Sequence, residues 1–276
     1  MIFFSIILAT LNRKESLRNA VNSILKQTHQ KFEIIIVDQS EYIDKEIQKI
    51  DSRIQYIHTE QKGLSHARNL ALNFVRGNYI CLLDDDAIYD SNFLLIANEI
   101  LNKEYFTILS GAIIDPQNNK YGQKWMDGKE MLLKFRHCFK YCMSSAMVIE
   151  SIFLKKYRFD EKFGIGGLYE SAEETDVVML AIENKKKVMF CPDLRVYHKV
   201  QGKSEIDLKT ANRYARGAGA IYKKHIYIGK KGKVFAMFIC MAIKHLVGII
   251  IYKGKKRKYY QSLFSGEIDG FLSYER

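Results

Sequence analysis

The feature that most constrains the fold is a short apolar run that ends in three consecutive acidic residues. Tyr79–Leu83 carries no charge, and Asp84, Asp85 and Asp86 follow it directly. Such a run is typical of a strand buried on both faces, as in a parallel sheet covered by helices. Three carboxylates at a strand end repel one another and lose hydration unless a cation compensates them. We therefore expect a hard-cation site with a phosphate-bearing ligand, although a solvated turn is the usual alternative for an isolated acidic triplet.

The rest of the N-terminal part reads as strands that alternate with helices. The predicted strands are Phe3–Leu8, Phe32–Val37, Ile54–Ile57, Tyr79–Leu83, Phe106–Ile114, Ser144–Ile149 and Lys187–Cys191. Helices are expected over roughly Glu15–Lys26 and Glu174–Glu183 and after Gly63. This order predicts right-handed β-α-β units and an α/β fold with a parallel sheet. Thr10, Asp38 and the three aspartates all fall at strand ends, so they should line one crevice, where nucleotides commonly bind.

Composition and missing motifs exclude several classes of protein. Hydrophobic residues make up 47% of the 276 residues and charged residues 27%, which indicates a folded globular protein. Neither a GxGxxG nor a GxxxxGK[ST] motif follows the first strand, which argues against a dinucleotide oxidoreductase and a P-loop NTPase. The five cysteines are scattered, so we expect free thiols and a reducing compartment. The N-terminal apolar run is interpreted as a strand rather than a signal peptide.

Charge is distributed unevenly along the chain. Up to Asn184 there are 22 basic and 25 acidic residues, whereas from Lys185 onward there are 21 basic and 6 acidic residues. A basic C-terminal part indicates an anionic partner, either a nucleic acid or membrane headgroups. Val234–Tyr252 is long enough to span a bilayer but carries Lys244 and His245 at its middle, and basic residues flank both ends. We favour a helix lying in the membrane interface, with a core helix packed on the rest of the protein as the alternative.

Five sequence blocks, in this order, resemble those of the family 2 inverting glycosyltransferases. They are SIILATLNR (5–13), EIIIVDQS (33–40), GLSHARN (63–69), YICLLDDD (79–86) and EETD (173–176), with weaker similarity in RYARGAGAIYKKH (213–225). The resemblance implies the GT-A fold, a Rossmann-like, mostly parallel sheet flanked by helices. It also implies a catalytic domain over residues 1–203. Residues 204–276 are then expected to form a helical, basic, membrane-associating region.

The resemblance also implies a nucleotide site. Asp38 corresponds to the carboxylate that accepts a hydrogen bond from uracil, while Thr10 and Asn12 line the base and ribose. Arg68 corresponds to an arginine that contacts the nucleotide from the start of a helix. Taken one at a time, Asp38 and Arg68 would more simply be a strand-end cap and a helix-surface charge.

The acidic triplet takes the place of the D-x-D motif of these enzymes. On that match Asp86 binds Mn²⁺ or Mg²⁺, and Asp84 orients the ribose or a metal-bound water. Asp85 lies between them and is assigned to the nucleotide-sugar site. His198 could complete the metal shell, although a single histidine is usually structural.

The same match assigns a general base at the start of a helix. Glu174 occupies the position of the carboxylate that takes a proton from the acceptor hydroxyl in a single displacement, which inverts configuration. The family more often has Asp at this position, so Glu173 and Asp176 remain alternative bases. Acidic residues in a first helical turn are also ordinary complements of the helix dipole.

The expected function is therefore metal-dependent inverting sugar transfer from a nucleoside diphosphate sugar, with a UDP-sugar favoured. The expected acceptor is a hydroxyl of a glycan or lipid-linked glycan at the cytoplasmic face of the membrane, in the synthesis of a surface polysaccharide. Trp125 is a candidate for stacking on an acceptor sugar. The alternatives are a nonenzymatic membrane module and a nucleic-acid-binding protein, and a nucleotidyltransferase is a lesser option. No helix-turn-helix, ribonucleoprotein or zinc motif supports nucleic-acid binding.

Overall fold

The computed structural model describes residues 1–123, 126–199, 207–229 and 231–275. Trp125 lies outside the described residues. The strands are β1 Phe4–Thr10, β2 Phe32–Asp38, β3 Ile54–His58, β4 Tyr79–Asp84, β5 Ile88–Tyr89, β6 Ile108–Asp115, β7 Lys120–Tyr121, β8 Met131–Leu132, β9 Met147–Glu150 and β10 Val188–Tyr197. The α-helices are α1 Lys14–Leu25, α2 Leu64–Ala71, α3 Phe93–Lys103, α4 Cys138–Tyr141, α5 Ser151–Tyr157, α6 Glu173–Glu183, α7 Leu208–Ile228, α8 Lys231–Ile251 and α9 Gly254–Ser273.

One sheet organises the described part of the chain. Its strand order is β3-β2-β1-β4-β9-β6-β10-β5, and β7 and β8 pair at its side. The first four strands are parallel, as are β6 and β10, whereas β9 runs antiparallel between β4 and β6. The predicted α/β architecture is therefore confirmed, with a parallel half and a mixed half.

The register of the parallel half brings the predicted polar residues to one edge. Thr10 is paired with Asp38 across β1 and β2, and Ala9 is paired with Asp84 across β1 and β4. The apolar residues of these strands are almost completely buried, because helices cover both faces of the sheet. Thr10, Asp38 and Asp84 therefore lie along one edge of the sheet, as expected, at the carboxyl ends of the strands.

Two of the predicted strands differ from the structure by more than two residues at one end. The strand predicted over Ser144–Ile149 begins only at Met147, because Ser144–Ala146 form a 3₁₀ turn. The last strand of the sheet is longer than predicted: it continues past Pro192 to Tyr197 with a register shift between Phe190 and Arg195. Proline cannot donate to a β-ladder, so an irregularity at this point allows the strand to continue.

The three C-terminal helices form a packed unit. α7 and α9 run in parallel, and a Cβ atom on Gly266 or Gly270 of α9 would collide with backbone carbonyl groups of α7. α8 runs antiparallel to α9: Phe238 stacks on Phe271 with ring centroids 4.1 Å apart, and His245 pairs with Glu267 at 2.7 Å. Glycine at the helix contact allows the α7 and α9 backbones to approach closely.

α8 has one buried side and one exposed side, and its contact with a membrane stays a prediction. Val234, Phe238 and Ala242 are at most 8% exposed, as in a core helix, whereas the opposite side faces solvent. In the described part of the chain, Gly232–Ile251 is the one helix long and apolar enough to cross a bilayer.

Candidate active site

The end of β1 holds the middle residue of the acidic triplet. Thr10 lies at the last position of β1, and its Oγ1 donates a hydrogen bond of 2.7 Å to Asp85 Oδ2. Asp85 is buried, and this burial raises the pKa of its carboxyl group. The carboxylate therefore points back toward β1 and connects the ends of β1 and β4.

Arg13 is a site residue that the sequence analysis missed. Its Nη1 donates to Asp85 Oδ1 at 3.1 Å and to Asp86 Oδ2 at 2.8 Å. Arg13 directly precedes α1, and its side chain is 55% exposed, so it reaches the crevice from the solvent side. Its position in the ATLNR block was visible in the sequence, but its partners depend on how the β1–α1 loop crosses the end of β4.

Asp86 and His198 face each other across the crevice. His198 follows β10 directly, and its Nε2 lies 3.0 Å from Asp86 Oδ1. The hydrogen bond with His198 lowers the pKa of Asp86, and the same bond raises the pKa of His198. The two residues predicted as metal ligands are therefore in direct contact, and their binding of a metal stays a prediction.

This pair fits a divalent cation that also binds a phosphate ligand. Carboxylate oxygen and imidazole nitrogen suit Mn²⁺, and the pair already converges on a solvent-accessible point. Across the described residues no group of three or more His, Cys, Asp or Glu side chains is arranged to hold an ion. A metal at Asp86 would thus take its remaining ligands from phosphate oxygens and water, which is usual for Mg²⁺ sites at nucleotides.

Asp84 has a different environment from Asp86. Its Oδ1 accepts a hydrogen bond of 3.0 Å from Arg68, and its Oδ2 accepts one of 2.5 Å from Ser145 in the 3₁₀ turn before β9. Both carboxylate oxygens thus have protein partners. Ser145 was not identified from the sequence, because that stretch was expected to be a strand.

Arg68 joins the acidic triplet to the start of α6. Its side chain is 2% exposed, and its Nη1 donates to Glu173 Oε1 at 2.9 Å while its Nη2 bonds Asp84. The resemblance predicted that Arg68 contacts the nucleotide. The structure places the guanidinium between two carboxylates, where it fixes their positions relative to each other, and contact with the nucleotide stays a prediction.

The three candidate bases occupy distinct environments. Glu173 is buried against Arg68, and Asp176 is 1% exposed and pairs with Lys224 at 2.8 Å and His225 at 2.9 Å, both on α7. Glu174 is mostly buried and, among the described residues, makes no ion pair. Burial and the neighbouring charge of Glu173 raise the pKa of Glu174.

Asp38 and Asn12 lie on the β2 side of the crevice. Asp38 Oδ2 accepts a hydrogen bond of 2.6 Å from the Tyr56 hydroxyl, and its Oδ1 accepts one of 2.8 Å from the Ser40 backbone N–H. The Asn12 backbone N–H donates to Ser40 Oγ at 2.7 Å, and Asn12 has a positive φ of 58°. Burial and the bond to Asp38 raise the pKa of Tyr56, so its hydroxyl stays protonated as a donor. Neither Tyr56 nor Ser40 was predicted as a site residue.

The site residues thus form three connected groups. One contains Asp38 with Tyr56, one contains Asp85 and Asp86 with Arg13, and one contains Asp84, Arg68 and Glu173. Glu174 follows Glu173 at the start of α6. The arrangement can hold a charged ligand along the strand ends and present a carboxylate of raised pKa beside it.

The sequence was compared with known protein families. Residues 5–163 match the family model described as Glycosyl transferase family 2. The chain is 30% identical over 230 residues to the minor teichoic acid biosynthesis protein GgaB of Bacillus subtilis, an alignment that covers 76% of this chain and 24% of that protein. It is 26% identical over 161 residues to WfgD of Escherichia coli, an alignment that covers 56% of this chain and 63% of that protein. WfgD is named as a UDP-Glc:alpha-D-GlcNAc-diphosphoundecaprenol beta-1,3-glucosyltransferase.

The fold was compared with solved structures. The mannosyltransferase PcManGT from Pyrobaculum calidifontis, solved with GDP-Man and Mn²⁺, superposes with a TM-score of 0.68 at 14% identity, covering 99% of this chain and 88% of that chain. This likeness confirms the expected GT-A fold. The chain spans only 59%, 14% and 24% of the length of the first three curated relatives that it matches.

Proposed function

The chain belongs to glycosyl transferase family 2, and we propose that it transfers a sugar from a nucleoside diphosphate sugar to an acceptor hydroxyl with inversion. The observation that carries this proposal is the position of Asp38 and the acidic triplet at one edge of the sheet, where Asp86 pairs with His198. Arg68 joins this edge to Glu173, which directly precedes Glu174. Ligands of open α/β sheets bind at this edge. The family and the site geometry therefore support the same chemistry.

The donor is proposed to lie along the strand ends. Asp38 would accept a hydrogen bond from the nucleobase, and Thr10 and Asn12 would line the base and ribose. A UDP-sugar is favoured because Asp38 corresponds to the uracil-binding carboxylate of the family and because WfgD is named for UDP-Glc. A GDP-sugar would instead resemble the ligand of PcManGT.

Asp86 and His198 would hold Mn²⁺ or Mg²⁺ at the diphosphate. A divalent ion there neutralises charge on the departing nucleoside diphosphate. Asp84 is proposed to act near the ribose or a metal-bound water, held in place by Arg68 and Ser145. Arg13 has an exposed guanidinium beside Asp86 and can contact the same phosphates.

Glu174 is the proposed general base. It would take the proton from the acceptor hydroxyl while that oxygen forms a bond to the anomeric carbon and the bond to the diphosphate oxygen breaks. A raised pKa makes a carboxylate a stronger base near neutral pH. Glu173 and Asp176 are less suited, since each already has a buried cationic partner.

The proposed acceptor is a lipid-linked glycan in the synthesis of a surface polysaccharide. The names of WfgD and GgaB support it, as one refers to a diphosphoundecaprenol acceptor and the other to teichoic acid. We assign catalysis to residues 1–203 and contact with the cytoplasmic face of the membrane to residues 204–276. The protein would thus be cytoplasmic and peripheral to the membrane.

Calorimetry with UDP and GDP, each with and without Mn²⁺, tests the donor site. We expect UDP binding that depends on Mn²⁺ and is lost in Asp86→Asn. Asp193→Asn is the matched control, because Asp193 is 64% exposed and lies outside the crevice. Equal binding by Asp86→Asn and wild type would remove Asp86 from the metal site, and a preference for GDP would overturn the role of Asp38.

A further inference from the structure

One side of α8 is an apolar surface that nothing in the described chain covers. Its large side chains are 39–82% exposed: Phe235, Ile239, Ile243, Leu246, Val247, Ile250 and Ile251. With 3.6 residues per turn, these positions fall within a single arc of the helix. A continuous exposed apolar face of this kind marks an interaction site. We call it the α8 face.

The opposite side of the same helix is fixed to the protein. Phe238 stacks on Phe271, and His245 is 6% exposed and pairs with Glu267 of α9. A helix crossing a bilayer alone would have to leave α7 and α9 and expose these partners. The packing therefore favours a helix that lies flat on a surface, with one side on the protein and one side free.

Basic residues border the α8 face. Lys244 lies roughly 110° around the helix from the centre of the apolar arc, so it is at the edge of the face and not within it. Lys233 lies near the same edge, and both side chains are exposed. Five further exposed basic residues follow α8 in the chain, over Lys253–Lys258. An apolar strip with a positive border matches the acyl chains and anionic headgroups of a membrane.

We propose that the α8 face docks onto an anionic lipid bilayer, with the helix parallel to the surface and the bordering lysines on headgroup phosphates. This docking rests on the proposed function in one respect: the proposed acceptor is a lipid-linked glycan, which is held in the membrane. The positive border argues against a second copy of the chain as the occupant, because two such faces would repel each other.

Sedimentation with vesicles of phosphatidylcholine, with and without phosphatidylglycerol, tests the proposal on the full chain. We expect binding to the anionic vesicles that weakens with added salt. Ile243→Asn combined with Ile250→Asn should lower the partition coefficient at least about tenfold, because two interfacial isoleucines are lost. Ile152→Asn, at a 77% exposed position of α5, is the control and should bind like wild type.

A second pair of variants tests the charged border without altering any apolar contact. Lys233→Gln combined with Lys244→Gln should lower binding to anionic vesicles about tenfold or more, because both lysines lie at the edge of the α8 face. Lys185→Gln combined with Lys186→Gln, in the exposed turn after α6, should have no such effect. Equal binding of the two double variants to anionic vesicles would overturn the role of the basic border.

Two further results would overturn the proposal. One is wild-type vesicle binding that the isoleucine variant retains. The other is a dimer in solution that this variant converts to a monomer, which would make a second copy the occupant. UDP binding measured on the same samples separates the two claims. Vesicle binding without any nucleotide binding would support docking of the α8 face onto the bilayer and would refute the donor site.

Discussion

Replacing Arg68 with methionine should destabilise the protein and disturb the site at the same time. Arg68 is 2% exposed and bridges Glu173, whose side chain is 7% exposed, and Asp84, whose side chain is 31% exposed. Removing one partner of a buried ion pair costs about 3–5 kcal/mol, because the remaining charge is left buried. Solvent screens the Asp84 half of the bridge, so the lower end, about 3 kcal/mol, is expected.

Urea denaturation of wild type and Arg68→Met measures this loss of unfolding free energy. A loss of about 3 kcal/mol corresponds to a melting temperature lower by roughly 6–12 °C for a chain of this size. Arg195→Met is the matched control: Arg195 and Asp193 are 3.5 Å apart and both are largely exposed, so a change within about 0.5 kcal/mol is expected. Equal stability of Arg68→Met and wild type would refute the idea that this arginine joins β4 to α6.

Two further predictions concern the C-terminal helices. Gly270→Ala should lower the unfolding free energy by about 1–3 kcal/mol, because its Cβ would collide with a backbone carbonyl of α7. Gly232→Ala, where a Cβ meets nothing within 4 Å, should be neutral or slightly stabilising in the same denaturation assay; equal effects would contradict close α7–α9 packing. Burial lowers the pKa of His225, but the hydrogen bonds with Asp176 and Glu183 outweigh this effect, so that the pKa is raised overall. A raised folded-state pKa stabilises the protein below the unfolded value of about 6.5, and this contribution disappears as pH rises through the folded pKa. The stability difference between wild type and His225→Gln should therefore be larger at about pH 6 than at about pH 9, and a constant difference would refute this.

The sequence allowed the parallel half of the sheet to be predicted closely. β1, β2, β3 and β4 differ from prediction by no more than two residues at either end, since continuous apolar runs bounded by polar residues define them. The mixed half was less predictable. Pairing of β9 between β4 and β6 is decided by tertiary contacts, so the sequence did not show where the turn at Ser144 ended and the strand began.

The site could be predicted as a set of residues but not as a set of contacts. Thr10, Asp38 and the acidic triplet were expected at strand ends, and the structure places them there. The partners of Arg68 could not be predicted, because they depend on the rotation of α2 above the sheet. Asp176 was a candidate base by its spacing in the first turn of α6. Only the docking of α7 shows that its carboxylate is paired with Lys224 and His225.

The most direct test of the central claim is turnover by Glu174→Gln. The assay follows nucleoside diphosphate release from a panel of UDP-sugars with a diphosphoundecaprenol-linked sugar as acceptor, and UDP binding is measured in parallel. We expect wild type to release UDP only with acceptor present, and Glu174→Gln to bind UDP normally but to lose at least about a hundredfold in turnover. Near-normal turnover by Glu174→Gln would contradict the assignment of the base and with it the proposed mechanism.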